Sequence, residues 1–297
     1  AIFGGRQNSH FSELTYDIQG SKHELIIGAN YVSDNFVRKN YREASYLPVE
    51  ENHQTASLFV NHIWNANKFI DVESGLRTDW NKNKSNISED KGEVFIMPRI
   101  AALVKYTPKL STRISGGLGY RPMTIFNEEA EPYGFKNFMP IDFANTQAEN
   151  SMGLNGDIAY KSVIGDNMLL SLNQMFFYNI IQNPIVLNEN NYVFQNAANN
   201  IISQGFETQL KFTFWKITWF LGYTYTDVYF NANEKETIVL NPKHSVKGDF
   251  LFVEDGKWRI GLDYEYKSPQ KLSNGSNSRD LFTTGLVIER TIDNFVL

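Results

Sequence analysis

The chain has no cysteine, which excludes disulfide scaffolds and thiolate-held metals and leaves packing and hydrogen bonding to hold the fold. It also lacks long apolar runs. Stretches such as Ile100 to Val104 fall far short of the ~20 residues that a membrane-spanning helix needs. No surplus of positive charge exists either: 28 Lys and Arg stand against 33 Asp and Glu, a net charge of -5. With the two signs interspersed there is no basic stripe to neutralise phosphates, so nucleic acid is excluded as a partner.

Catalytic and cofactor patterns are missing as well. The five histidines, His10, His23, His53, His62 and His244, are scattered in sequence without a His-x-x-x-His spacing, so no metal site is expected. Gly116-Gly117-Leu118-Gly119 has the look of a phosphate loop, but no Lys-Ser/Thr follows and it lies inside an alternating segment, where small wall residues explain it. Glu128, Glu129 and Glu131 form an acidic cluster that a solvated loop accounts for. The expectation is a protein that is not an enzyme and carries no cofactor. The chain begins at Ala1 without the charged and apolar regions of a leader and ends in Phe295-Val296-Leu297, which reads as strand. It is therefore expected to be a piece of a longer protein.

What the sequence has in abundance is aromatic side chains, 22 Phe, 15 Tyr and 5 Trp, beside 21% charged residues. The two classes alternate along the chain. Trp258, Ile260, Leu262, Tyr264 and Tyr266 interleave with Arg259, Gly261, Asp263, Glu265 and Lys267, a period of two that belongs to strands. The same split separates Phe206, Leu210, Phe212 and Phe214 from Glu207, Gln209, Lys211 and Thr213. It also separates Ile114, Leu118 and Tyr120 from Arg113, Ser115 and Arg121, and Met152, Leu154, Ile158 and Tyr160 from Ser151, Asn155, Asp157 and Lys161. Between Leu169 and Ile181 both faces carry apolar groups and Gln174 interrupts one of them, which leaves the register there open. A strand of ten residues tilted near 45° stands roughly 24 Å tall, the height of the apolar band of an outer-membrane barrel. Aromatics near strand ends, among them Trp64, Trp80, Tyr106, Trp219 and Trp258, suit a headgroup region, although they would equally fill the interior of a soluble sandwich.

The connections discriminate between these two. Short links near 19–22, 65–68, 106–110, 161–167, 215–217, 253–257 and 291–294 interleave with long ones near 33–52, 81–92, 121–148, 182–202, 230–243 and 267–280. Thirteen links imply about fourteen strands, with tight turns on one rim and polar loops on the other, the asymmetry of outer-membrane barrels. The fold class expected is all-β, an antiparallel up-and-down transmembrane β-barrel segment. Since no backbone group can stay unbonded in a bilayer, the sheet must close somewhere.

The run Met97-Pro98-Arg99 through Tyr106, continuing through Arg113 to Tyr120-Arg121 and Thr124 to Glu129, resembles TonB-dependent receptors. Tyr120-Arg121-Pro122-Met123 departs from the aromatic-Arg-Ala-Pro run of that family. Ala148 to Leu154, Gly205 to Thr208, Gly222 to Asp227 and Asn241 to Ser245 follow in the family's order. The resemblance implies that residues 1–297 form one partial barrel domain, the later part of a cylinder of roughly 22 strands, with an N-terminal plug and the closing strands outside the chain. It further implies a bacterial outer-membrane location, membrane lipid around the wall, and coupling through the plug to the TonB complex. The implied activity is import of a scarce nutrient, with a ferric siderophore or other iron complex of the colicin-receptor-like branch as the nearest cargo, and vitamin B12 or another metal chelate open. Two alternatives remain beside it: a passive fourteen-stranded channel and a soluble β-sandwich binding module.

Ligand contacts are expected on the long-loop rim. Arg121, Tyr133, Phe135, Phe138 and Phe143 in one loop, with Tyr192 and Phe194 in the next, combine rings that stack on a chelate with a guanidinium that neutralises its oxygens. Packing of the loops against themselves would use the same residues. Lumen residues such as Arg113, Glu207, Lys211, Arg259, Asp263 and Glu265 are assigned to plug or water contacts.

Overall fold

A computed structural model describes residues 4–38, 49–126, 138–188, 191–233, 236–272, 274–292 and 295–296. In chain order the strands are β1 (Gly5–Gln19), β2 (His23–Arg38), β3 (Glu50–Asn67), β4 (Ile70–Ser85), β5 (Ser88–Lys105), β6 (Leu110–Arg121), β7 (Glu149–Ile164), β8 (Met168–Gln182), β9 (Ile185–Asn188) and β10 (Val193–Asn196). They continue as β11 (Ile201–Phe214), β12 (Ile217–Phe230), β13 (Glu236–Thr237), β14 (His244–Glu254), β15 (Trp258–Lys267), β16 (Leu281–Ile292) and β17 (Phe295–Val296). One antiparallel sheet carries the order β1 through β8, then β11, β12, β14, β15, β16 and β17, so fourteen strands follow one another as sequence neighbours. β9 and β10 form a separate hairpin and β13 adds to the top of β12.

All seven short links fall where the alternation stops, as between Gln19 and His23 or Phe214 and Ile217. One long link does not exist. The polar stretch 81–92, read as a loop, is strand on both sides of a two-residue turn between Ser85 and Ser88. Alternation is invisible there because both faces are polar: Asn81, Asn83 and Ser85 are buried inward, while Lys82 and Lys84 point outward toward Asp90.

The wall has one apolar and one polar face. Leu58, Leu76, Ile96, Ile114, Leu154 and Phe176 share the outward face and all remain exposed, Ile96 to 62% and Leu154 to 57%. Among the described residues no second sheet covers them, and Leu262 is itself 39% exposed, which removes the sandwich alternative. Hydrocarbon is the solvent that tolerates such a face. The opposite face is laced with ion pairs: Arg99 to Glu73 at 2.7 Å, Arg77 to Asp79 at 2.7 Å, Arg259 to Glu289 at 3.2 Å and Lys105 to Asp71.

The register left open at Gln174 is fixed by side-chain pairing. Gln174 lies opposite Thr208 on β11, and the Thr208 hydroxyl donates to Gln174 Oε1 at 2.5 Å, so the amide is satisfied on the lipid side. Tyr120 departs from the apolar row assigned to it. Its ring stacks on inward-facing Phe95 at 3.8 Å and its hydroxyl donates to Asp79 at 3.0 Å, beyond the point where the β5–β6 ladder ends at Gly117.

Candidate functional site

The buried apolar core of the molecule sits at the long-loop rim. Met123, Ile125, Phe138, Ile141 and Phe143 from the connection after β6 pack with Ile185 and Phe194 of the β9–β10 hairpin and with Phe36 and Val49 from the wall. Together they form a lobe against the inner face of β2 to β4 at the top of the sheet. Polar side chains of the wall hold it. Glu51, 1% exposed, accepts from the main-chain N–H of Ile141 at 3.4 Å, and Ser85 Oγ donates to the Ile141 carbonyl at 2.8 Å. His53 lies edge-on to Phe143, ring centroids 5.6 Å apart, with Nδ1 2.8 Å from Asn83 Oδ1 and Nε2 3.5 Å from Glu51. Lys91 Nζ donates to the Thr146 carbonyl at 2.8 Å. Asn196 joins loop to hairpin by accepting from Gln147 N at 2.7 Å and donating to the carbonyls of Gln147 and Asn183 at 2.8 Å each.

Arg121 and Glu149 face each other across the mouth of the loop, the last residue of β6 against the first of β7. Nε lies 2.5 Å from one carboxylate oxygen and Nη2 3.0 Å from the other. Glu149 also accepts from the N–H of Ile185 at 2.7 Å, so one buried carboxylate ties two strands to the hairpin.

The residues read from sequence as ligand contacts therefore divide. Phe138 and Phe194 are 2% exposed and Phe143 fully buried. They form the lobe's core, because apolar rings in a long loop bury one another against water. Arg121 is half-exposed but its fork is committed to Glu149. Tyr192 remains on the surface, 36% exposed, at a positive φ of 56° and with its ring 6.2 Å from Phe138. Tyr133 and Phe135, and the glutamates 128, 129 and 131, lie outside the described residues. Sequence reasoning missed Glu51, His53, Asn83, Glu149 and Asn196. Of these only Glu149 sat in a family-like motif, since a polar residue that buries itself under a loop gives no periodic signal.

Below the lobe the inner face is a polar passage. A groove of about 500 Å³ runs along it past Asp71, Glu73, Arg99, Arg113 and Asn155. The histidines are less scattered than their spacing suggested: His23 and His62 meet at 3.0 Å on the outward face near the short-turn rim, with His23 stacked on Trp64. Among the described residues no group of three or more His, Asp or Glu is arranged to hold a metal ion.

No curated protein matches the sequence. Solved structures do match the fold. The FrpB iron transporter from Neisseria meningitidis (F3-3 variant) aligns with a TM-score of 0.75 at 13% identity, covering 97% of this chain and 48% of its own. The copper transporter OprC aligns at 0.78 and 12% identity over 98% and 49%. The ferric yersiniabactin uptake receptor FyuA from Yersinia pestis aligns at 0.71 and 15% identity over 96% and 46%. The chain thus spans about half the length of the structures it matches, and at these identities the likeness is one of fold. A family model, TonB dependent receptor-like, beta-barrel, matches residues 3–293, and the chain belongs to that family.

Proposed function

We propose that this chain is part of the barrel wall of an outer-membrane receptor that imports an iron complex, with a ferric siderophore as its cargo. The observation that carries the reading is the pairing of two faces over fourteen strands. A lipid-compatible exterior surrounds an ion-paired interior, and a folded lobe caps the end bearing the long loops. Fold neighbours named for iron support the cargo class: FrpB, FyuA and the siderophore receptor PirA from Acinetobacter baumannii. OprC, named for copper, marks the nearest competing cargo. In this reading the rest of the protein supplies the plug and the strands that close the cylinder, since an open edge is not tolerated in hydrocarbon. The outer membrane holds no energy source, so release of cargo is driven through the plug by the TonB complex. Ligand contacts are assigned to loop 121–148, with Arg121, Tyr133 and Phe135, and to Tyr192 of the next loop.

The test is uptake by cells lacking the intact protein, grown without free iron and offered labelled ferric siderophores, cobalamin and copper complexes in turn. Loss of one ferric chelate alone is expected. Loss confined to copper or cobalamin transfers the cargo, and unchanged uptake of all of them overturns the receptor reading.

A further inference from the structure

Among the described residues, neighbouring strands from β1 to β16 pair along most of their length except at one seam. β5 and β6 are in register only from Arg99 opposite Gly117 to Lys105 opposite Ser111, although β5 continues up to Ser88 and β6 to Arg121. Sequence explains why the ladder stops. Pro98 has no N–H to donate. At Gly117 the two backbones press together so closely that a Cβ there would stand 3.1 Å from both Arg99 Cβ and the Pro98 carbonyl oxygen. Beyond this point β5 and β6 no longer pair, and Tyr120 is anchored on Phe95 and Asp79. Main-chain groups of Val94 to Met97 that point away from β4 therefore have no strand opposite them.

The separation leaves a cavity of about 330 Å³. Its outward lining is apolar, made by Val94, Ile96, Leu118, Met152 and Ile180, while Asn150 and Gln182 stand at its upper end. Val94 lies opposite Trp80 on β4, and Ile96 is roughly 20 Å above the short turn at the foot of a strand tilted ~45°, the level where acyl chains give way to headgroups. The groove is continuous with the exposed apolar row that includes Ile100, Ile114 and Leu154.

We propose that this seam is a binding site for one lipid of the outer leaflet. Its acyl chain lies along Ile96, Leu118 and Met152, and its ester or amide carbonyls face the unpaired main chain of β5 and the amides of Asn150 and Gln182. The continuity of the groove with the membrane-facing surface selects a lipid over a polypeptide strand, and main-chain N–H groups without a strand opposite them at this depth need acceptors, which lipid carbonyls supply. The inference rests on the barrel standing in a bilayer and is independent of the cargo.

The test is native mass spectrometry of the full-length receptor, extracted from outer membranes into a mild detergent and washed with increasing stringency. One acylated lipid should remain on the wild-type protein after annular lipid has gone. It should be lost from the Ile96→Trp, Met152→Trp double variant, which fills the groove, and kept by Leu58→Trp on the plain outward wall of β3. Should the filled variant fail to fold, as read from heat-modifiable gel migration, Asn150→Ala with Gln182→Ala keeps the shape and should release the lipid at lower stringency. A wild-type protein that holds no lipid, a lipid lost equally from Leu58→Trp, one indifferent to both sets of groove substitutions, or a polypeptide adduct in its place each overturns the proposal. Uptake assays decide the cargo separately.

Discussion

The wall and the lobe use the same residue types in opposite ways. In the wall, Ile96 and Leu154 remain more than half exposed, while in the lobe Met123 and Phe143 are fully buried. The wall is held by main-chain pairing between sequence neighbours, and its apolar side chains meet a solvent that is itself apolar. The lobe has water around it and must bury its rings as any soluble domain does. The difference teaches that an aromatic residue in this chain carries no meaning until its element is known: at a strand end it marks an interface, in a long loop it marks a core. The comparison breaks most sharply at Phe143. Phe143→Ala should cost the lobe about 3–5 kcal/mol, the range for deleting a buried phenyl ring, and should raise protease cleavage within 121–148 while the heat-modifiable barrel band persists. Loss of the barrel together with the lobe would show that the two do not fold separately.

A second substitution probes the other half of the contrast. Leu221 lies on the outward face of β12, four residues above the turn that joins it to β11. Leu221→Arg should cost ~2–4 kcal/mol near the bilayer midplane, read as a lowered denaturant midpoint in lipid vesicles. Glu207 faces the lumen on β11, and Glu207→Gln should change that midpoint little. Equal effects would contradict the assignment of faces.

Most of the wall was legible in the sequence because its code is local. Side chains alternate with period two, and turns come where alternation stops, so fourteen strands and all seven short links could be read from residues such as Trp258 to Lys267. The reading lost its grip above the bilayer, where polar residues occupy both faces and 81–92 passes for a loop. It also lost Tyr120, whose direction is set by Phe95 and Asp79 and not by its parity. The lobe at the long-loop rim was not legible as an arrangement. Loop 121–148 was singled out, yet which of its rings are buried depends on the hairpin at 185–196 and on wall residues far away in sequence. Glu51 meeting Ile141 and His23 meeting His62 are separations that no local pattern encodes.

Between wall and lobe, the joint at Glu149 is the next point to sharpen. Glu149→Ala removes the acceptor of the Ile185 N–H and both bonds to Arg121. Leaving a buried donor unsatisfied costs about 1–3 kcal/mol, so hydrogen exchange at Ile185 and along β9 should quicken while exchange in the lower halves of β6 and β7 is unchanged. Arg121→Ala should be milder, because Glu149 keeps the Ile185 bond. If Arg121→Ala proves the more damaging, the guanidinium has a role that its pairing with Glu149 does not explain.

The smallest expected effect is one of pH, at His53. Its level on β3 is above the apolar band, since the outward neighbours there are Asn52, Gln54, Lys82 and Lys84. Burial disfavours the charged ring, but hydrogen bonds to Glu51 and Asn83 and the negative charges of Glu51 and Asp34 outweigh it, and the His53 pKa is raised above its ordinary value. A raised pKa in the folded state means that protonation favours the folded wall, since Glu51, Asn83 and Asp34 all stand on β2 to β4. That contribution is fully present below the ordinary histidine value of about 6.5 and is lost as pH climbs through the folded-state value. The denaturant midpoint of the protein in lipid vesicles should therefore decline slightly from about pH 5 to about pH 8, the range over which a histidine titrates. His53→Gln keeps a hydrogen-bonding side chain over Glu51 without the titratable proton, and this decline should be absent from it. A decline of the same size in His53→Gln would assign the pH response to another group.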